Sequence, residues 1–513
     1  MKKLFSMLLV CAMLLCAFSS ASLAYDGSAP ISEEPVTISV LSTNGASLWY
    51  DFDNMTWWQQ VLENANVTLD FELVDASSYD DVSKPRLAAG LDLPDLVLVR
   101  GGVQDIQAYI DAGLFLDLTD LYEQYGFNLK KQFEAHPNLK AQLTATDGRM
   151  YAIPYVYTTD SNMRCLMINS VWAENLGMKV SDIKTLDDYY NYLVAVKNGD
   201  PNGNGDTTDE IPLFMRSGMI GLWGMVFGLD LCDGGGYQVE DGKVICTYTD
   251  ERYKECVTFL KKLYDEGLLY NEFATANYDT QQALYTTDRV GSVIHFISNC
   301  TGYSQSIDPD WNFDTDAPIM EPTVITGPYG DTYCYGRDAY GATYMINANC
   351  KNPEAVFQFC DYLFSDEVGK LTWYGIEGVD YNIVDGEYVF TDVYLGNQDN
   401  YLTRMGYNFA GLPSFQLDYM TKQCTAVRAK AVELAPYVFN PSIGFSYKTL
   451  DETETLSMYA ADLSTYFSEN MLGFIMGTRS IDDFENYVAE VKAMGVDEVI
   501  AVHQAVIDRG ADE

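Results

Sequence analysis

The segment Asp200-Pro201-Asn202-Gly203-Asn204-Gly205-Asp206-Thr207-Thr208-Asp209-Glu210 carries the most specific chemistry in the sequence. Oxygen-bearing side chains stand at its first, third and fifth positions and glycine at its sixth, as at the start of an EF-hand calcium loop. The glycine permits the sharp turn that aims those oxygens at one hard cation. A standard loop closes with a bidentate glutamate at the twelfth position, which here is Ile211, so Glu210 falls one short. The competing reading is an Asn/Gly-rich surface turn. A calcium ion held here would be structural, because all its ligands come from one contiguous loop.

Aromatic side chains stand where the loops of an α/β protein gather ligands. Trp49 and Tyr50 follow the first strand-like run, and Tyr155 and Tyr157 follow the run 148–154. Trp223 sits in a Gly/Met-rich segment, and Trp373 and Tyr374 precede Gly375. Flat aromatic faces match the C–H faces of sugar rings, and neighbouring Asp, Asn and Arg groups can hydrogen-bond the hydroxyls. Each of these side chains could equally fill a core. Trp57, Trp58 and Trp172, inside helical patterns, read as core.

Catalytic constellations are missing. The three histidines are His136 before a proline, His295 in an apolar strand and His503 in the terminal helix. None accompanies a nucleophile elbow or a zinc-binding His pair, and no phosphate-cradling glycine loop occurs. With 74 Asp+Glu, a pair of carboxylates for glycoside hydrolysis or lysis stays open as the alternative to pure binding. Against those acids stand 31 Lys+Arg, a formal charge of −43. That balance excludes a nucleic-acid ligand, which needs clustered cations, and argues against an anionic membrane surface. It also weighs mildly against an acidic sugar, for which Arg100, Arg164 and Arg216 are the candidate partners.

The elements that must position these groups alternate between strand and helix. Val36 to Leu41, Val67 to Val74 and Leu96 to Val99 read as strands, with helices around 57–66 and 79–89. Apolar residues recur at helical spacing at Leu186, Tyr189, Tyr190, Leu193 and Val194, and again at Tyr253, Cys256, Val257, Leu260, Leu263 and Tyr264. Asn352-Pro353-Glu354 predicts a helix start with Asn as cap, and Ser480 with Asp483 predicts another. Such alternation predicts an α/β protein with substantially parallel sheets. Residues 1–24 read as a secretory signal peptide: Lys2 and Lys3, an apolar run, and the small-residue cleavage site Ser22-Leu23-Ala24. Neither Cys11 nor Cys16 follows a small residue, so no lipid anchor is expected and the chain is expected to be exported, periplasmic or extracellular. The nine remaining cysteines form no C-x-x-C pair and read as free thiols, without a zinc site.

Taken in order, several of these segments resemble the large bacterial extracellular solute-binding proteins of ABC-type importers, in the group that handles oligosaccharides and alginate. The resemblance is carried by Ala108 to Thr119, Gly148 to Pro154, Met167 to Trp172 with Asn175-Leu176-Gly177, and Asp200 to Pro212. Lys261 to Leu268, Asn352-Pro353-Glu354 with Asp361-Tyr362-Leu363, and Tyr374 to Tyr381 complete it. It implies a two-lobed, type II periplasmic-binding-protein-like α/β fold with a ligand cleft between the lobes. Residues 25–158 plus 317–371 would form lobe one, and 159–316 plus 372–513 lobe two. By the same resemblance, Asp200, Asn202, Asn204, the Asp206 carbonyl, Asp209 and Glu210 would ligate calcium. One residue inserted before the Asp209-Glu210 pair departs from the alginate-binding pattern. The implied partners are a small carbohydrate and a membrane permease, with the chain itself a monomer. Within the resemblance a neutral oligosaccharide is the preferred ligand.

Overall fold

The computed structural model of the protein describes residues 25–43, 56–75, 77–100, 103–157, 163–232, 235–312, 316–330, 332–336, 339–384, 386–391, 412–415, 425–439 and 447–511. The expected signal peptide, Trp49 and Tyr50 lie outside them. Two compact units result: 1–101, 108–155 and 342–417 make unit one, and 102–107, 156–341 and 418–513 make unit two.

The strands are β1 (Val36–Thr43), β2 (Val67–Val74), β3 (Leu96–Val99), β4 (Ala152–Tyr157), β5 (Arg164–Asn169), β6 (Tyr237–Glu240), β7 (Lys243–Cys246) and β8 (Ser292–Phe296). They continue with β9 (Met320–Thr323), β10 (Cys334–Tyr335), β11 (Ala339–Ile346), β12 (Tyr381–Val384), β13 (Glu387–Phe390), β14 (Ser414–Phe415) and β15 (Val438–Phe439). Unit one is built on a six-stranded sheet in the order β14-β4-β11-β3-β1-β2. Its expected parallel character holds for β1 with β2 and for β1 with β3, while β11 runs antiparallel to β3. β3 is buried at all four residues, as a continuously apolar strand covered on both faces should be. Edge strand β2 alternates partly buried and exposed residues instead.

In unit one Asp361 is fully buried and gathers the chain around it. Its carboxylate accepts from the Tyr25 hydroxyl at 2.7 Å, from the backbone amides of Asn128 and Leu129 at 2.9 Å each, and from Asn128 Nδ2 at 3.1 Å. Segment 25–31 is thereby fastened to two helices of this unit, Phe127–Ala135 and Pro353–Tyr362.

Unit two has a sheet in the order β15-β10-β5-β8, with β9 also pairing β5. Here the expectation of a mainly parallel sheet is corrected: β5 runs antiparallel to β8, β9 and β10. Apolar periodicity reports burial, not strand direction, so the sequence carried no signal for this. Helices Leu186–Asn198 and Glu251–Asp265 form where the spacing predicts, each capped by the residue before it. Thr185 makes a capping box with Asp188, and Asp250 accepts from the Arg252 amide.

The passages between units also differ from expectation. Apart from the short excursion of 102–107 into unit two, the first departure falls at Tyr155, close to the expected 158, but the return comes at Ala342 and not 317, and the last departure at Leu417 and not 371. Strand pairing is the reason. β9, inside the segment expected to return, is held by β5 in unit two. Ser414–Phe415, beyond the expected departure, pairs with β4 in unit one. Among the described residues no helix is long and apolar enough to cross a membrane. All eight described cysteines are free thiols.

Candidate functional site

The loop 200–210 folds as a series of turns in which side chains hold the backbone. Asp200 Oδ1 and Asn202 Oδ1 both accept from the Asn204 amide at 3.1 Å, and Asp200 Oδ2 accepts from the Gly205 amide at 3.0 Å. Asn204 Oδ1 accepts from the Asp206 amide at 2.7 Å. Gly203 and Gly205 take φ of 71° and 89°, the left-handed region that turns these oxygens to one side and favours glycine. Asn204 Nδ2 donates to Asp209 Oδ2 at 3.1 Å, drawing the end of the loop toward its middle.

Glu210 completes the arrangement. Both of its carboxylate oxygens are buried and accept no hydrogen bond. Burial, followed by the carboxylates of Asp209, Asp200 and Asp206, raises its pKa above the ordinary glutamate value. Buried oxygens without a donor, beside three further acids, are the environment that a hard cation would satisfy. Among the described residues no group of three or more His, Cys, Asp and Glu side chains is already closed around a metal position. The fit therefore rests on Glu210 and on the turns at the first, third and fifth positions.

The loop is tied to the sheet end that follows it. Arg289 Nε donates to the Asp209 carbonyl at 2.9 Å, and Asn202 Nδ2 to the Asp288 carbonyl at 3.2 Å. The Ile211 amide donates to the Arg289 carbonyl and the Gly291 amide to the Ile211 carbonyl, both at 2.9 Å. Two chain segments thus leave the loop side by side. One ends at Arg216 and the other, β8, ends at His295 and Phe296.

At that end a guanidinium, an imidazole and several rings converge. Arg216 Nη2 lies 3.5 Å from His295 Nε2 and 3.0 Å from Met219 Sδ, and its Cζ lies 5.9 Å from the centre of the Tyr278 ring. Arg164 sits over Phe296 at 4.5 Å and over Tyr335 at 5.0 Å. Burial, and then the charges of Arg216 and Arg164, push His295 down to about 3, so the imidazole is neutral at physiological pH. Behind it Tyr285 and Tyr303 stack at 4.0 Å, and Asn299 Nδ2 donates to the Tyr303 hydroxyl at 3.2 Å. Sequence reasoning named Arg164 and Arg216 only as possible cations and gave His295 no role. Their meeting depends on the β5–β8 register, which pairs Arg164 with Phe296.

The aromatic candidates separate. Trp223 is fully buried, 5.5 Å from Tyr189 and 5.7 Å from Phe259, so it fills the core of unit two and not a ligand face. Tyr374 stacks on Tyr388 at 4.0 Å beside Tyr381 in unit one, and its ring face is taken by that hairpin. Both pack tightly against other rings, as core-filling aromatics do. Tyr155, on β4, is buried at 5% exposure. Tyr157 is the last residue of β4, and Trp373 lies one residue before the end of helix Asp366–Tyr374. Trp57, Trp58 and Trp172 are core, as expected.

Two α/β units share a chain that passes between them five times, and the fold is of the type II periplasmic-binding-protein class. Residues 43–370 match the family described as bacterial extracellular solute-binding protein, and the chain belongs to that family. It is 25% identical over 462 residues to the fructooligosaccharide ABC transporter substrate-binding protein FusA of Streptococcus pneumoniae, covering 82% of this chain and 80% of that one. It is 24% identical over 331 residues, 63% of each chain, to the polygalacturonan/rhamnogalacturonan-binding protein YtcQ of Bacillus subtilis. Among solved structures, the alginate-binding protein AlgQ2 without calcium ion superposes with a TM-score of 0.73 at 22% identity, over 95% of this chain and 99% of that one.

Proposed function

We propose that this chain is the exported substrate-binding subunit of an ABC importer, that it takes an oligosaccharide and delivers it to a membrane permease as a monomer, and that it performs no chemistry on it. The similarity to a fructooligosaccharide transporter's binding protein over 82% of the chain carries this reading. The sheet end at Arg164, Arg216 and His295 supports it, because rings and fixed polar groups converging on one place suit a sugar. Trp49, Tyr50, Tyr155, Tyr157 and Trp373 are proposed to contribute further sugar contacts.

We propose a structural calcium ion as the one cofactor. Asp200, Asn202, Asn204, the Asp206 carbonyl, Asp209 and Glu210 would hold it, and it would neutralise an acidic loop that is otherwise tied down by Arg289. It would support the strands that lead to Arg216 and His295, and it would take no part in a reaction.

The test is a thermal-shift series with neutral and acidic oligosaccharides, followed by assay of each mixture for new reducing ends. A rise in melting temperature with at least one sugar and no reducing ends is expected. Turnover that disappears on substituting a single carboxylate would favour the hydrolase or lyase alternative.

A further inference from the structure

Arg216 stands out in a chain whose acids outnumber its bases by more than two to one. Among the described residues no carboxylate lies within ion-pair distance of it. Its Nε is buried without a hydrogen-bond partner, and the partners of Nη2 are the uncharged Met219 sulfur and His295 imidazole. Two other arginines of unit two are compensated by carboxylates. Arg252 reaches Asp250 and Glu240 at 2.8 Å each, and Arg479 pairs with Asp483 at 2.7 Å and Glu490 at 2.6 Å. A half-buried cation without a counter-charge is costly, and such a position is kept when something else supplies the charge.

The surroundings fix what that something can be. His295 is held neutral by burial and by the two guanidinium groups beside it, so it adds no negative charge. Tyr278 offers a ring to the guanidinium, and Tyr285 and Tyr303 are driven further toward their neutral forms by burial. Directly after Arg216, Ser217 and Gly218 line a cavity of about 370 Å³ whose walls include Tyr248, Phe467, Ser464 and Ser468. That volume lies within the range of small-molecule sites. Its boundary combines stacked rings, Tyr248 on Phe467 at 4.4 Å, with hydroxyl-bearing positions of the helix Leu450–Met476.

Resting on the carbohydrate reading above, we infer that the ligand carries a carboxylate, as a uronate sugar does, and that Arg216 is the residue that binds it. The planar guanidinium presents parallel N–H donors that match the two oxygens of a carboxylate, and a lysine could not reproduce that fork. This reverses the preference for a neutral sugar that follows from overall charge. Net charge averages over the surface, whereas recognition depends on individual cations such as Arg216, which has no carboxylate partner among the described residues.

Trigalacturonate, its fully methyl-esterified form and a neutral fructotriose separate the possibilities. Titration calorimetry on the full chain should show the free acid binding at least about tenfold more tightly than the ester, the scale of one charge-assisted hydrogen bond. In Arg216→Gln the gap between acid and ester should close. Arg216→Lys, which keeps the charge, should retain part of it and lose it as sodium chloride is raised. Equal affinity for acid and ester in the unaltered protein, or binding of the fructotriose alone, would overturn the inference and leave the carbohydrate reading intact. Binding of none of the three, with none across the wider sugar panel, would overturn both.

Discussion

Replacing Glu210 with glutamine should have opposite effects with and without calcium. In metal-free protein the side chain is a carboxylate whose two oxygens are buried and unpaired, beside Asp200, Asp206 and Asp209. An unsatisfied buried polar group costs about 1–3 kcal/mol. Glu210 as a residue is only half-buried, so solvent screening places it at the lower end, about 1 kcal/mol. Glutamine removes the charge and should stabilise the metal-free protein by that amount. For a unit of about 290 residues the unfolding entropy is roughly 0.6 kcal/mol per kelvin, so the melting temperature should rise by about 2 °C. Calcium at a hundred times its dissociation constant should stabilise the unaltered protein by about 2.7 kcal/mol, or roughly 4–5 °C, and should stabilise Glu210→Gln much less. Differential scanning calorimetry in chelator and in calcium gives all four values. A Glu210→Gln protein that melts lower than the parent in chelator yet keeps the full calcium shift would refute the reasoning. So would a parent protein indifferent to calcium.

The other expectations concern packing, the buried carboxylate and acid. Trp223→Ala should cost about 3–5 kcal/mol by emptying a fully buried indole site, measurable by denaturant unfolding, while Trp223→Phe should leave sugar affinity unchanged. Asp361→Ala should cost roughly 3 kcal/mol, because it orphans three buried donors, the Tyr25 hydroxyl and the amides of Asn128 and Leu129; limited proteolysis should then open segment 25–31 first. Burial and neighbouring cations push His295 down to about 3, and burial with Lys448 pushes His503 down to about 4. The unfolded chain therefore takes up protons near pH 6.5 that the folded one refuses. Stability from these groups is complete above that pH and falls as pH drops toward 4, by up to about 1.4 kcal/mol per unit per histidine. His295→Gln/His503→Gln should flatten that slope relative to the parent in denaturant titrations at pH 7, 6 and 5.

Much of the local architecture was legible because local signals are strong. β2 and β3 run over the residues their composition predicts, and the helix at Pro353 begins where proline at a first helical position says it should. Asn352 nevertheless makes no side-chain cap. At Ser480 the hydroxyl caps a short 3₁₀ turn at Ile481–Asp483, and Asp483 turns to Arg479 and Asn486 in place of a capping box; the α-helix starts at Phe484. Other side chains within four residues of Asp483 outbid the capping box there. The 27-residue helix Leu450–Met476 had a true capping box at Thr449 and Glu452, a signal that could have found it.

Long-range features were less accessible. Where the chain returns to unit one depends on β9 choosing β5, a pairing between residues about 150 positions apart that no local pattern encodes. The site shows the same division. The calcium-loop candidates are contiguous and readable, whereas Arg164, Arg216 and His295 meet only through strand register. For Trp223 and Tyr374 the sequence leaves both readings open, because an aromatic beside glycine looks the same whether it faces a sugar or another ring.

Whether the chain binds an oligosaccharide and releases it unchanged can be measured in one experiment. Calorimetric titration with the sugars that shift its melting should be followed by mass analysis of the sugar recovered from the cell. One ligand per chain, saturable and recovered at its original mass, is the predicted result. No binding across neutral and acidic oligosaccharides, or recovery of shortened sugar, would contradict the account.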